Sequence, residues 1–274
     1  MTAGGRDGVA VIPSPLPAGT AARARMLDTL QRAALHVHEA AAPAPEPAGT
    51  SPRRLMFLDP GPSGEPVAAA LSDPPPVELL LELSAETPAP RLQTWAQRIA
   101  AADVFWSLTT LSAMHMATPS RALAGAMVGV LAPQGGTTDL LTRVETALHE
   151  TVANALVHGN LRLPSLCKLE GDDPNQCYDD AVAASLADRS LAHRRLEVSA
   201  RGEAGMLRIA VSDEGDGVPD EHWQHSLTGG ERALAHADKS GRGLYLTAMF
   251  CDDLNRSEDG RTVELCFRTD AVAA

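Results

Sequence analysis

The sequence predicts an α/β protein in two parts. Over residues 1–103 short apolar runs alternate with helical segments, the pattern of a small parallel α/β domain. Residues 104–274 instead hold a long amphipathic helix that reaches Asn160, and an alternating hairpin, Leu196 to Ala200 and Met206 to Ser212 around Gly202-Glu-Ala-Gly205. The 274 residues, 44% hydrophobic and 21% charged, suffice for one large or two ordinary globular domains.

The first part reads as follows. Val9 to Ile12 is a short buried strand, stopped by Pro13-Ser-Pro-Leu-Pro17, and Ala18 to Ala34 is a helix with Leu27, Leu30 and Ala34 on one face. Ala41 to Arg53, rich in Ala and Pro, is an extended loop. Leu55 to Leu58 is a second strand ending at Asp59-Pro-Gly, Val67 to Leu71 a short helix, and Val77 to Ser84 a third strand. Arg91 to Ala102 is helical with Leu92, Trp95 and Ile99 inward. This order resembles a response-regulator receiver domain, with Asp59 where the phosphoacceptor would be and Ser84 where the switch hydroxyl would be. It departs from that family where the chemistry is most demanding. Pro13-Ser14 replaces the acidic pair that holds Mg²⁺, and no Lys occurs in Val104 to His115. A degenerate receiver-like domain is the expectation.

Val104 to Met114 is apolar, Thr-rich and strand-like, and could close the first part or open the second; the boundary is set at 103/104. Thr118-Pro-Ser starts a helix over Arg121 to Leu131, which Pro133-Gln-Gly-Gly136 breaks. The long helix begins after Thr137 or Thr138, with Asp139 favourable near its N-terminus. On it Glu150, Asn154 and His158 recur at steps of four and share a face, while Leu141, Val144, Leu148 and Val152 form an apolar stripe. Such a polar face suits a ligand site, or the wet side of an ordinary helix. Asn160 to Asp173 reads as loop and Tyr178 to Ala192 as helix. After the hairpin, Asp213-Glu-Gly-Asp-Gly-Val-Pro219 offers a carboxylate followed by glycines, fit for a flat polar ligand or for a plain turn. Val218 to Ser240 looks like a mobile loop. Lys239-Ser-Gly-Arg-Gly-Leu244 then runs into a helix ending near Asp252, either a phosphate cradle or a Gly-containing loop. Val263 to Phe267 is a strand behind an Asp259-Gly260 turn.

Taken in order, Glu150 with Asn154, Asp213-x-Gly215-x-Gly217, and Gly241-x-Gly243-Leu244 resemble the N, G1 and G2 boxes of the GHKL ATPase superfamily. The resemblance spans roughly Thr118 to Thr269 and implies a Bergerat-type α/β sandwich, a mixed sheet covered by helices. Within the superfamily the chain is most similar to anti-sigma-factor serine kinases, some of which are fused to receiver domains. His158-Gly-Asn-Leu161, the helical insert before Arg194-Arg195, Ser240-Gly-Arg-Gly-Leu244 and the acidic pair Asp252-Asp253 carry that likeness. It implies ATP and Mg²⁺ as cofactors. Asp213 would accept from the adenine amino group, with Gly215 and Gly217 turning beneath base and sugar. Asn154 would ligate Mg²⁺, and Glu150 would be the general base. Gly241, Gly243 and Leu244 would present the phosphate cradle, with Lys239 and Arg242 as added charge. His158 would either contact phosphate or pack against a turn.

Composition narrows the partner. A net charge of -12 and 3% aromatic residues argue against nucleic acid as partner. The four cysteines show neither a CxxC pair nor His at ligand spacing, which disfavours a zinc site and fits free thiols. Neither a signal peptide nor a membrane span is evident, so a cytoplasmic location is expected. His115-Met-Ala-Thr-Pro119 faintly resembles a phosphoaccepting His segment. It lacks an acidic neighbour after His115 and room for a dimerising helical hairpin before Glu150. The expectation is therefore a serine/threonine protein kinase acting on a STAS-type anti-sigma antagonist, with a sigma factor as client and dimerisation implied by the family. An ATP-gated binding module and a histidine-kinase-like domain acting in trans are the alternatives.

Overall fold

The computed structural model describes residues 8–11, 20–33, 35–39, 53–59, 67, 77–115, 123–124, 127, 138–164, 174–203, 205–228 and 242–269. Its strands are β1 (Gly8–Val11), β2 (His36–Glu39), β3 (Arg53–Leu58), β4 (Leu79–Glu82), β5 (Val104–Thr109), β6 (Arg195–Glu203), β7 (Met206–Ser212), β8 (Asp253–Arg256) and β9 (Thr262–Arg268). All nine form one sheet in the order β2-β1-β3-β4-β5-β6-β7-β9-β8. From β2 to β5 the pairs are parallel, and from β5 to β8 they are antiparallel. The parallel half has the strand order 2-1-3-4-5 of flavodoxin-like sheets. Asp59 follows β3 and is exposed, and Ser84 lies just past β4, where its N–H donates to Thr87 Oγ1 at 3.0 Å.

The sheet is shared rather than divided. β5 pairs with β4 on one side and with β6 on the other, so the expected boundary at 103/104 falls inside a continuous sheet. Helices α1 (Ala21–Arg32) and α2 (Ala89–Ala101) cover one face of the parallel half. There Met26, Leu30, Leu92, Trp95 and Ile99 pack on Val9, Leu55, Phe57, Leu79 and Leu81. The intervening side chains point to the other face. Leu58, Leu80 and Trp106 join a second core with Val144, Leu148 and Val152 of α4 (Thr138–Asn154) and with Leu196, Val198, Leu207, Ile209 and Val211. Each such fully buried aliphatic side chain contributes about 1.5–3 kcal/mol. The predicted stripe on α4 is met at Val144, Leu148 and Val152; Leu140 is buried more deeply than Leu141.

Several expectations are corrected. Val104 to Met114 is not one strand: β5 ends at Thr109, whose hydroxyl accepts from Ser112 N–H and starts the short helix α3 (Thr110–Met114). The region from 174 to 192 is two helices, α5 (Pro174–Ala187) and α6 (Arg189–Ala192), separated by Asp188, which caps α6 through Ser190 N–H. Val218 to Ser240 is not all loop, because α7 (Asp220–Thr228) lies within it, anchored by the buried Trp223 beneath the Arg256 guanidinium. Helix α8 (Arg242–Phe250) and the hairpin β8–β9 complete the described chain, with Gly260 at φ +71° in the predicted turn. Ile12, most of Val67 to Leu71, most of Arg121 to Leu131 and the segment from 229 to 241 lie outside the described residues. No helix among the described residues is long and apolar enough to cross a membrane.

Candidate functional site

The site forms where α4, the start of α8 and the end of β7 converge. Helix α4 continues beyond Asn154 as a π-helical turn, Ala155–Asn160, closed by Leu161 N–H donating to Leu156 C=O at 2.9 Å. His158 lies within this wider turn, four residues beyond Asn154. It borders the cavity, but its Nδ1–H donates to the Leu163 carbonyl at 2.7 Å, so the ring braces the following loop.

The cavity measures about 760 Å³, within the range of small-molecule and cofactor sites. Glu150, Asn154, His158, Asp213, Gly217, Gly243 and Leu244 all line it. Helix α8 approaches α4 closely at Gly243. A Cβ there would lie 2.6 Å from Glu150 Oε2 and 3.3 Å from Asn154 Nδ2, so the helix N-terminus meets the carboxylate and the amide only because residue 243 has no side chain. Helix α8 is held in place by Arg143 of α4, whose guanidinium donates to Phe250 C=O at 3.1 Å and to Asp252 at 2.7 Å. Partial burial works against the Asp252 carboxylate. Hydrogen bonds from Arg268 N–H and Arg143 outweigh it and hold the group below the usual carboxylate range.

Asp213 follows β7 and sits against Gly159 of the π-helical turn. A Cβ at Gly159 would lie 2.5 Å from the Asp213 Cγ, which makes Gly159 a requirement for this approach. One carboxylate oxygen accepts from Gly215 N–H at 2.7 Å. Burial nevertheless pushes the Asp213 carboxyl up to about 6, with the Gly215 hydrogen bond and Arg261 acting in the opposite direction. Gly215 packs against the Gly159 backbone, and Gly217 at φ +83° turns the chain beside Asp259. Lys239 and Gly241 lie outside the described residues, and of Arg242 only the backbone, the first residue of α8, is described.

Chemically, these residues line one cavity with the half-buried carboxylate of Asp213 and with a carboxylate beside an amide, Glu150 and Asn154. A helix N-terminus, able to present N–H groups to an anion, lies next to the second pair. Among the described residues no group of three or more His, Cys, Asp or Glu could hold a metal ion. Mg²⁺ commonly takes only one or two protein oxygens, with phosphate and water supplying the rest, so a single amide oxygen from Asn154 fits that ion. Residues the sequence did not single out also line the cavity: Tyr178 and Asn175 of α5, and His222 of α7. No sequence signal marks them, since their position depends on how α5 and α7 fold over the site. Gly159 could have been found, as the glycine closing the same run that holds Glu150 and Asn154.

The family model of the histidine kinase-like ATPase domain matches residues 115–267, just over half of the chain. It contains every predicted site residue, from Glu150 to Leu244. No curated protein matches the chain. With Glu150, Asn154, Asp213, Gly217, Gly243 and Leu244 meeting at one cavity on a mixed sheet covered by helices, the chain belongs to the GHKL-type histidine kinase-like ATPase family.

Proposed function

We propose that this chain is an Mg²⁺- and ATP-dependent protein serine/threonine kinase, acting on a STAS-type anti-sigma antagonist in a partner switch that governs a sigma factor. The observation that carries the reading is the Glu150–Asn154–Gly243 arrangement, which puts a carboxylate and a neutral amide side by side at a helix N-terminus facing the cavity. Two acidic groups there would compete for one role. An acid with an amide separates proton transfer from metal binding. Asn154 would hold Mg²⁺ through its amide oxygen; when bound, the ion supplies charge neutralisation to the phosphates. Glu150 takes the proton of the attacking Ser or Thr hydroxyl, and Asp213 accepts from the adenine amino group to select the base. The N–H groups at the start of α8 orient the phosphates.

Incubation of the chain with radiolabelled ATP, Mg²⁺ and a STAS-type antagonist is expected to give acid-stable phosphoserine or phosphothreonine. Glu150→Gln is expected to lower transfer by at least a hundredfold, in line with general-base contributions, while ATP still binds. Transfer that survives Glu150→Gln would remove the base from the mechanism. Tight ATP binding without transfer to any antagonist would turn the reading to an ATP-gated binding module, and acid-labile phosphohistidine to a histidine kinase acting in trans.

A further inference from the structure

The residue between the first two named positions of the G1 box, Glu214, has no role in the reading above, yet it is held from three directions. Its N–H donates to Asn160 Oδ1 at 2.8 Å, and Asn160 is fully buried at the end of the π-helical turn. Its carboxylate accepts the Arg195 N–H at 2.8 Å, from the first residue of β6. The other carboxylate oxygen accepts from Arg91 of α2, a helix of the N-terminal half. Asn160 completes the frame by donating to the Arg195 carbonyl at 3.1 Å. Glu214 is covalently next to Asp213, so whatever holds its backbone also constrains the backbone from which the half-buried Asp213 carboxylate projects.

The same place is tied deeper into the N-terminal half. The Arg195 guanidinium donates to the Glu82 carbonyl at the end of β4 at 3.0 Å and lies over the Trp95 ring of α2, 5.2 Å from its centre. Trp95 Nε1–H in turn donates to Glu197 of β6 at 2.6 Å. Helix α2 therefore reaches the nucleotide half through side chains that meet β6 and the G1 turn.

We propose that Arg91 is a positioning residue for nucleotide recognition: through Glu214 it fixes the turn that aims Asp213, and so couples helix α2 to ATP affinity. This rests on the ATP-binding reading given above. Arg91 and Glu214 are 31% and 36% exposed, so the pair itself is a modest interaction, and its leverage comes from its place beside Asp213. The coupling is reciprocal, so ATP in the cavity must in turn order α2.

The test is a double-mutant cycle on ATP affinity, measured by calorimetry on the full chain, with Arg91→Ala, Glu214→Ala and the double variant. Arg91→Ala is expected to weaken ATP binding about fivefold, at the low end of typical coupling between sites. The double variant is expected to be no weaker than Glu214→Ala alone. Arg91→Lys should restore affinity, since one charged donor suffices at this contact. Hydrogen exchange at residues 89–98 should slow on ATP addition in the parent chain and not in Arg91→Ala, a response that a merely structural role for Arg91 would not produce. Additive single effects, or Arg91→Ala binding ATP within twofold of the parent, would overturn the coupling while leaving the ATP site intact. A parent chain that binds no ATP would overturn both.

Discussion

Asp213 should be the residue where stability and binding pull in opposite directions. Its carboxyl rises from 3.8 to about 6 in the folded chain, chiefly because burial penalises the charge. At about 1.4 kcal/mol per tenfold, keeping Asp213 ionised costs the fold about 3 kcal/mol at neutral pH. The folded state binds the proton more tightly than the unfolded one, so this cost is absent below 3.8. It grows between 3.8 and about 6, and is fully present above that; stability from this group is lost as pH rises. Asp213→Asn keeps an oxygen for Gly215 N–H and removes the charge. The nucleotide-free variant is therefore expected to melt about 5 °C higher than the parent at pH 7.5, and within about 1 °C of it at pH 4. With its oxygen occupied by Gly215, the new side chain turns an NH₂ toward the adenine amino group, donor against donor. ATP affinity is expected to fall about a hundredfold, the scale of a lost bond to a charged acceptor plus an unmet donor. Scanning calorimetry across that pH range, paired with ATP titration, reads both effects. A variant that melts lower than the parent at pH 7.5, or keeps full ATP affinity, refutes the assignment of Asp213 as a strained, base-reading carboxylate.

Gly243→Ala favours helix α8 by up to about 1 kcal/mol, yet puts a methyl 2.6 Å from Glu150 Oε2. Unchanged or higher melting with at least tenfold weaker ATP binding is expected, and full affinity would show that this approach is not needed. Cys251 and Cys266 are pushed up to about 12 and about 11, mainly by burial. At pH 8 both should alkylate at least a hundredfold more slowly in the native chain than in denaturant, as mass spectrometry of the labelled peptides would show.

That Glu150, Asn154, Asp213 and Gly217 border one cavity was partly legible because each pair is local. Glu150 and Asn154 lie one helical turn apart, and Asp213, Gly215 and Gly217 follow one strand end, so sequence spacing nearly determines their geometry. The hairpin β6–β7 was legible because its alternation faces a core on one side only, with Leu207, Ile209 and Val211 buried and their neighbours not. What escaped depends on distant partners. The alternation at Leu35-His-Val-His38 is only four residues long, and the segment becomes β2 by pairing with β1. His158 borders the cavity as its spacing suggested, but its bond to the Leu163 carbonyl depends on a π-helical turn that residue spacing does not reveal. Helix α7 did have one, with Asp220 and Glu221 in its first turn after Pro219, but Gly229-Gly230 and scattered polar residues suggested a loop instead. The contact between Arg91 and Glu214 joins residues 123 positions apart, beyond any motif.

The shared strand β5 also decides how the chain can be divided. A cut at 103/104 would leave β5 with β6 but strip away β4, baring the backbone of Val104 to Thr109 along a new edge and removing Leu58 and Leu80 from the core that Trp106 and Ile209 share. The complementary fragment would end in an unsatisfied parallel strand, equally ready to pair with whatever chain it met. The two halves thus resemble adjoining rooms with a common supporting wall, and a fragment cut at 103/104 is expected to self-associate, which gel filtration of residues 104–274 would check.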